Sequence, residues 1–204
     1  MFVMKEIYIG TSNKGKIEKL RQAFSGLKLK VLEPKVKVEV REDGSDVVEN
    51  AVKKARAYAD KIGKPVLSLD SALYIEGLDD ERQPGTKIRR IKGGRKLVSD
   101  QELLEYYSEL VEGLGGESVG KVVDGVCIAK PNGEIFTLKI VSKRKMVSKP
   151  SEKKVENMPL DSLQIDSRTG KYYSQLSEKE KSEMWGEVIG KELKKFVLKT
   201  LPEL

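Results

Sequence analysis

An α/β fold, with a mixed central sheet flanked by helices, follows from three patterns in this chain. Short apolar runs of strand length alternate with helical stripes through the N-terminal half. Three stretches place Asp or Ser three residues ahead of Glu before an apolar run (Asp46 and Glu49, Ser99 and Glu102, Ser177 and Glu180), the signature of a helix start. Two strand-like runs flank Pro131-Asn132-Gly133, a hairpin signal that makes the sheet mixed and not purely parallel. The 204 residues suffice for one substantial core, and one unit over residues 1–204 is expected, either a single α/β domain or two lobes sharing a sheet.

Each element can be justified in order. Ile7-Tyr8-Ile9 is a strand that empties into Gly10-Thr11-Ser12-Asn13, and Ile17, Leu20 and Phe24 predict a helix over 14–24. Val36, Val38 and Val40 alternate with Lys37, Glu39 and Arg41, the period of a half-buried strand, and Asp43-Gly44 turns the chain. Val47, Val48, Ala51, Val52 and Ala55 form the next helix, which stops near Gly63 with Pro65 beyond. Residues 65–69 read as a short buried strand delivering Asp70 at its C-terminal end, and Leu73-Tyr74-Ile75 resumes an extended pattern. Residues 77–94 are loop-rich, with Pro84-Gly85 followed by Arg89 and Arg90. A helix carrying Leu103, Leu104, Tyr107, Leu110 and Val111 ends at Gly113. Strands over 119–129 and 135–141 are expected to floor a second lobe, and 142–157 reads as a Lys-rich surface excursion in which Met146-Val147 could add a short strand. The last helix is long, with Met184, Trp185, Val188, Ile189, Phe196 and Val197 on its apolar face.

Composition excludes several classes of chemistry. With no histidine, neither a His-based triad nor a His zinc site exists, and acid-base work falls to carboxylates, Lys, Tyr or water. The net charge of +7 favours anionic partners, yet a charged fraction of 35% with both signs is also what a thermostable cytosolic protein shows. No aromatic-basic repeat marks a nucleic-acid module, and no apolar run reaches the length of a signal peptide or membrane span, so neither nucleic acid nor membrane is expected as a partner. The single Cys127, set in the alternation Val122, Val123, Val126, Ile128, cannot staple the chain and suits a strand core in a reducing cytoplasm.

Residues 9–20, IGTSNKGKIEKL, carry the strongest chemical signal. A strand that opens through Gly, Thr, Ser and Asn into a helix aims unpaired N–H groups and a positive helix end at one spot, with Lys14 and Lys16 beside it. The spacing Gly10-x-x-x-x-Gly15-Lys16 satisfies most of a P-loop, but Ile17 stands where a magnesium-binding Ser or Thr belongs. By itself the loop reads equally as a phosphate cradle and as a surface turn. Asp70, followed by Ser71, is placed where open α/β sheets gather ligands. Glu39 and Glu42 lie close enough in sequence to share a magnesium ion with Asp70 if their strands adjoin, and each acid also reads as a solvated surface charge.

These residues resemble a known family. GTSNKGKIEKL resembles the T/S-x-N-x-x-K loop of the inosine/xanthosine triphosphate pyrophosphatases, which clear non-standard purine nucleotides. EDGSDVVENAVKKARAYADKIGKPVLSLDSALYIEGL is similar to that family's E-T-G…E-N-A…K-A…G-x-P-x-x-x-D-D-S-G-L segment, and QPGTKIRRIKGG to its P-G-x-x-S-A-R-Y-x-G. The resemblance implies an elongated α/β fold of two lobes with an active-site cleft between them, a homodimer, and Mg2+-dependent cleavage of a nucleoside triphosphate to monophosphate and pyrophosphate. Carried over by position, Thr11, Ser12, Asn13 and Lys16 hold phosphates and Lys54 neutralises the phosphate tail. Glu39 and Asp70 bind metal, with Asp70 and Lys16 the catalytic pair, Ser71 beside them and Arg90 a further anion contact.

The second half departs from the pattern. The family's F-G-W/Y-D-P-x-F falls on residues 158–164, where only Asp161 is kept as a substrate contact, and its closing S-H-R falls near Trp185-Gly186-Glu187. Leu69 replaces the first Asp of D-D-S, and Ala72 replaces a Gly. The phosphate half is retained and the base half rewritten, which implies altered or relaxed base choice, with Trp185 readable as a replacement stacking surface or as core. A catalytically silent nucleotide-binding protein and an enzyme acting on diphosphates or damaged nucleotides are the competing readings.

Overall fold

The computed structural model describes residues 5–44, 46–91 and 97–201. It is a mixed α/β structure with one six-stranded sheet. In chain order the strands are β1 (Lys5–Ile9), β2 (Leu29–Leu32), β3 (Val66–Ile75), β4 (Glu117–Ala129), β5 (Ile135–Val147) and β6 (Gln164–Ile165). The helices are α1 (Lys14–Ala23), α2 (Val47–Ile62), α3 (Asp100–Glu112), α4 (Glu178–Trp185) and α5 (Lys191–Thr200). The sheet order is β2-β1-β3-β4-β5-β6, with β1 parallel to both β2 and β3, and β5 antiparallel to β6. Two compact units divide within the three long strands, one comprising residues 1–71, 123–140 and 182–204 and the other 72–122 and 141–181.

In the first unit, strand alternation assigns each helix to a face. Val66, Cys127 and Ala129 pack with Ala51, Ala55, Tyr58 and Ala59 of α2, so even positions of β3 and odd positions of β4 face α2. A Cβ on Gly125 would lie 2.5 Å from the Val47 carbonyl, which places the start of α2 directly on β4. The opposite face receives α1 and the C-terminal helices. Burial raises the Cys127 thiol to about 12, against a weaker lowering by Arg56, so it packs as an inert apolar group.

Local signals explain the helix ends. Asp46 accepts from the N–H groups of Val48 and Glu49, and Gly63 closes α2 in the left-handed region. Ser99 and Glu102 make a complete capping box before α3, and Ser177 and Glu180 bond reciprocally ahead of α4. The expected single terminal helix is interrupted, because residues Gly186–Gly190 form a π turn between α4 and α5. Trp185, Ile189, Leu193, Val197 and Leu201 are all buried at steps of four. That repeat is longer than the α-helical 3.6, and one wide turn absorbs the drift. Val188 and Phe196, expected on the apolar face, are half-buried.

Four further expectations are corrected. Residues 36–41 form no strand, since their alternation has no ladder partner; β2 takes the edge beside β1 instead, and Val38 only donates to the Tyr58 hydroxyl, 3.4 Å away. Asp70 is not at a strand end, because β3 runs unbroken through Ser71 and Ala72 to Ile75. The hairpin of β4 and β5 is not confined to a second lobe, since its turn end belongs to the first unit. Residues 142–147 are strand and not excursion, with Arg144 and Met146 buried and Lys143 and Lys145 exposed. Part of the loop expected over 77–94, including Gly93 and Gly94, lies outside the described residues.

The second unit builds its own core from Leu73, Ile75, Val122, Met146 and Leu163 against Leu103, Leu104, Tyr107 and Val111 of α3. Among the described residues no helix is long and apolar enough to cross a membrane. A Gly125→Ala substitution drives a methyl into the α2 backbone, and it lowers stability by about 1–3 kcal/mol in urea denaturation.

Candidate functional site

Gly10 brings the loop after β1 close to α2: a Cβ there would lie 2.9 Å from Val66 and 3.5 Å from the Lys54 carbonyl. The loop then caps α1. Asn13 Oδ1 accepts from the Lys16 N–H at 3.0 Å, and Thr11 Oγ1 accepts from the Asn13 N–H at 3.2 Å. Among the described residues the N–H groups of Ser12, Lys14 and Gly15 meet no protein acceptor. The first turn of α1 contains no acid, whereas that of α2 has Glu49 and that of α3 has Asp100 and Glu102. A helix end with free donors, two lysines and no compensating carboxylate favours an external anion.

Asp70 lies beyond the last pair of β1 and β3, Ile9 with Leu67. Its side chain is 6% exposed and gathers three donors. Lys54 Nζ and Lys16 Nζ donate to Oδ1 at 3.0 and 3.3 Å, and Asn50 Nδ2 donates to Oδ2 at 3.1 Å. Burial penalises the ionised carboxylate, but the charges of Lys16 and Lys54, with hydrogen bonds from Lys54 and Asn50, outweigh it and hold the pKa below its ordinary value. Lys54 also meets Glu42 Oε2 at 3.0 Å, so two carboxylates flank one ammonium. Asn50 holds that arrangement, accepting from the Gly44 N–H at 2.8 Å while it donates to Asp70.

The other face of β3 carries a second buried network. Lys19 Nζ donates to both oxygens of Asp124, at 2.9 and 3.1 Å, and Ser71 Oγ donates to Asp124 Oδ1 at 2.6 Å. The Lys19 ammonium lies 4.9 Å from the centre of the Trp185 ring.

The structure thus brings together Thr11, Ser12, Asn13, Lys16, Lys54 and Asp70 in one unit. Glu42 joins them; Glu39, expected as a metal ligand beside Asp70, is exposed on an unpaired stretch and, among the described residues, makes no hydrogen bond or ion pair with the cluster. Ser71 adjoins Asp70 in sequence but faces away from it, with its hydroxyl hydrogen given to Asp124. Trp185 is 3% exposed, which makes it core and not a stacking surface. Arg90 and Asp161 belong to the second unit, Arg90 exposed and Asp161 buried near the charges of Arg144, Asp166 and Arg168 around the Tyr173 hydroxyl. Sequence reading passed over Lys19, Asn50 and Asp124 as functional groups. Asp124 had a signal, an acid inside the apolar run Val122-Val123-Asp124-Gly125-Val126.

A profile of the Ham1 family matches residues 7–185. A dITP/XTP pyrophosphatase of Aquifex aeolicus is 37% identical over 97 residues, 46% of this chain and 47% of that protein. Another, of Deinococcus deserti, is 35% identical over 135 residues, 65% of this chain and 61% of that protein. The chain spans about half to two thirds of the length of these curated relatives. The solved structure of a HAM1 protein from Coxiella burnetii shares the fold, with a TM-score of 0.67, 21% identity, and coverage of 96% of this chain and 100% of that one.

The lowered pKa of Asp70 sets a pH signature. Its contribution to stability is present above the unfolded value of about 4 and is lost as pH falls through the lower folded value. The stability difference between wild type and Asp70→Asn therefore shrinks as pH drops through that window, which urea denaturation at stepped pH measures.

Proposed function

The chain belongs to the Ham1 family, and we propose that it hydrolyses a non-standard nucleoside triphosphate to nucleoside monophosphate and pyrophosphate at the Asp70 cluster. One observation carries this reading: Lys16 and Lys54 converge on Asp70 beside a helix end with free N–H groups and no acid. Cleaving a phosphoanhydride needs positioning and charge neutralisation more than covalent chemistry, and this set supplies both without histidine.

The cluster changes character when a triphosphate arrives. The N–H groups of Ser12, Lys14 and Gly15 receive phosphate oxygens, and the two ammoniums turn toward the phosphate tail. Asp70 is then released from the two ammoniums, and its oxygens are open to a metal ion and to the attacking water. In the free protein the same carboxylate is kept ionised and tied.

A magnesium ion fits the donor set. Glu42 and Asp70 each place an oxygen 3.0 Å from one cationic centre, the Lys54 ammonium, and Mg2+ commonly takes one or two carboxylates and completes its shell with water and substrate phosphates. We assign the ion to Asp70 and Glu42, in place of Glu39. When bound it supplies Lewis-acid charge to the phosphate oxygens. A homodimer in the reducing cytoplasm completes the reading; it rests on the family resemblance and on the single buried Cys127.

Pyrophosphate release from a panel of inosine, xanthosine, modified pyrimidine and ordinary triphosphates, with and without magnesium, tests the proposal. Asp70→Asn and Lys16→Ala each lower kcat/KM by about 100-fold or more. Glu42→Gln raises the magnesium concentration needed for half-maximal rate, and Glu39→Gln leaves it unchanged. Thermal stabilisation by a nucleotide with no pyrophosphate from any of them would identify a binding protein instead.

A further inference from the structure

Lys16 and Asp70 approach each other from two different elements, and nothing in their own contacts fixes where those elements sit. The second buried network does. Lys19 is one turn along α1 from Lys16 and on the same helix face, and Ser71 follows Asp70 on β3. Both bond a single carboxylate, Asp124 of β4, whose side chain is 1% exposed. The ammonium meets both oxygens of the carboxylate, and the Ser71 hydroxyl holds one of them from the neighbouring strand. The Trp185 ring bounds the ammonium as well. A buried ion pair seldom stabilises a core better than apolar side chains would, so its contribution here is geometric. The next residue, Gly125, faces the opposite way and seats the start of α2, the helix that carries Asn50 and Lys54.

We propose that Asp124 is a positioning residue: through Lys19 it sets α1 and with it Lys16, and through Ser71 it sets the stretch of β3 that carries Asp70. Its kinetic consequence rests on the function proposed above; its structural consequence does not.

Asp124→Asn, Ser71→Ala and Lys19→Arg test the proposal at a temperature where each variant is fully folded by circular dichroism. Asp124→Asn lowers kcat for pyrophosphate release about 10- to 100-fold with KM changed less than about threefold, since misplacement is felt in the reacting geometry more than in binding. Ser71→Ala moves kcat in the same direction by a smaller factor. Lys19→Arg keeps the charge but sets a larger planar group into a buried two-oxygen contact against Trp185, so it lowers kcat in the same direction as Asp124→Asn. Lower denaturation midpoints with unchanged kcat in both Asp124→Asn and Ser71→Ala overturn the proposal, and if Asp124→Asn does not fold, Ser71→Ala alone decides it. If the wild type releases no pyrophosphate, the functional reading fails by itself. Crystal structures of the ligand-free wild type and Ser71→Ala then decide the positioning role: a Lys16 to Asp70 separation that lengthens beyond hydrogen-bond range in the variant supports it, and an unchanged separation overturns it.

Discussion

The early end of β1 governs the whole arrangement. β1 makes its last pair at Ile9 with Leu67, and the Gly10 N–H reaches the Leu67 carbonyl at 2.8 Å. β3 continues without that neighbour, which leaves backbone groups of a buried strand in need of partners. Lys16 fills the gap: its ammonium approaches the Leu69 carbonyl at 3.4 Å as well as Asp70. The lysine at the start of α1 thus does part of the work of a missing strand. That contact ties the start of α1 to the part of β3 that β1 no longer covers.

Alternation along β3 and β4 then separates two sets of charges. Asp70 faces α2 and Asp124 faces α1, although their strands are neighbours in the sheet. Ser71 and Gly125, each one residue further on, face the reverse way. A shift of β4 by one residue would bury Gly125 against Lys19 and press the Asp124 carboxylate into the α2 backbone, with no cation to meet it. The two buried carboxylates therefore help the apolar core to specify the register of the strands.

Much of this was legible in the sequence where a signal is local. The three Asp or Ser to Glu spacings marked real helix starts, and the Pro131-Asn132-Gly133 turn joined two real strands. The passage from β1 through residues 10–13 into α1 was legible because its residues are contiguous. What failed were features decided by partners elsewhere in the chain. Residues 36–41 alternate like a strand, but a strand needs a ladder partner, and among the described residues this stretch pairs with none. Residues 142–147 hide their period because the inward positions hold Ser142 and Arg144, not valine. That Glu42 and not Glu39 meets Lys54 depends on distant contacts such as those of Asn50, whose amide holds Gly44 and reaches Asp70 twenty residues further on.

The two charge networks differ in a way that separates permanence from exchange. Lys19 and Asp124 have side chains 6% and 1% exposed, and removing either partner would strand a charge in the core. Around Asp70 the partners are more open: Lys16 is 23% exposed and Glu42 is 46% exposed. Both can exchange a protein partner for water or another ion at lower cost than the buried pair can. Lys54, at 8% exposed, sits between these extremes with two carboxylates on one ammonium. It can release one and keep the other. A closed network and a more open one are thus joined through the adjacent residues Asp70 and Ser71, which bond to opposite faces of the sheet.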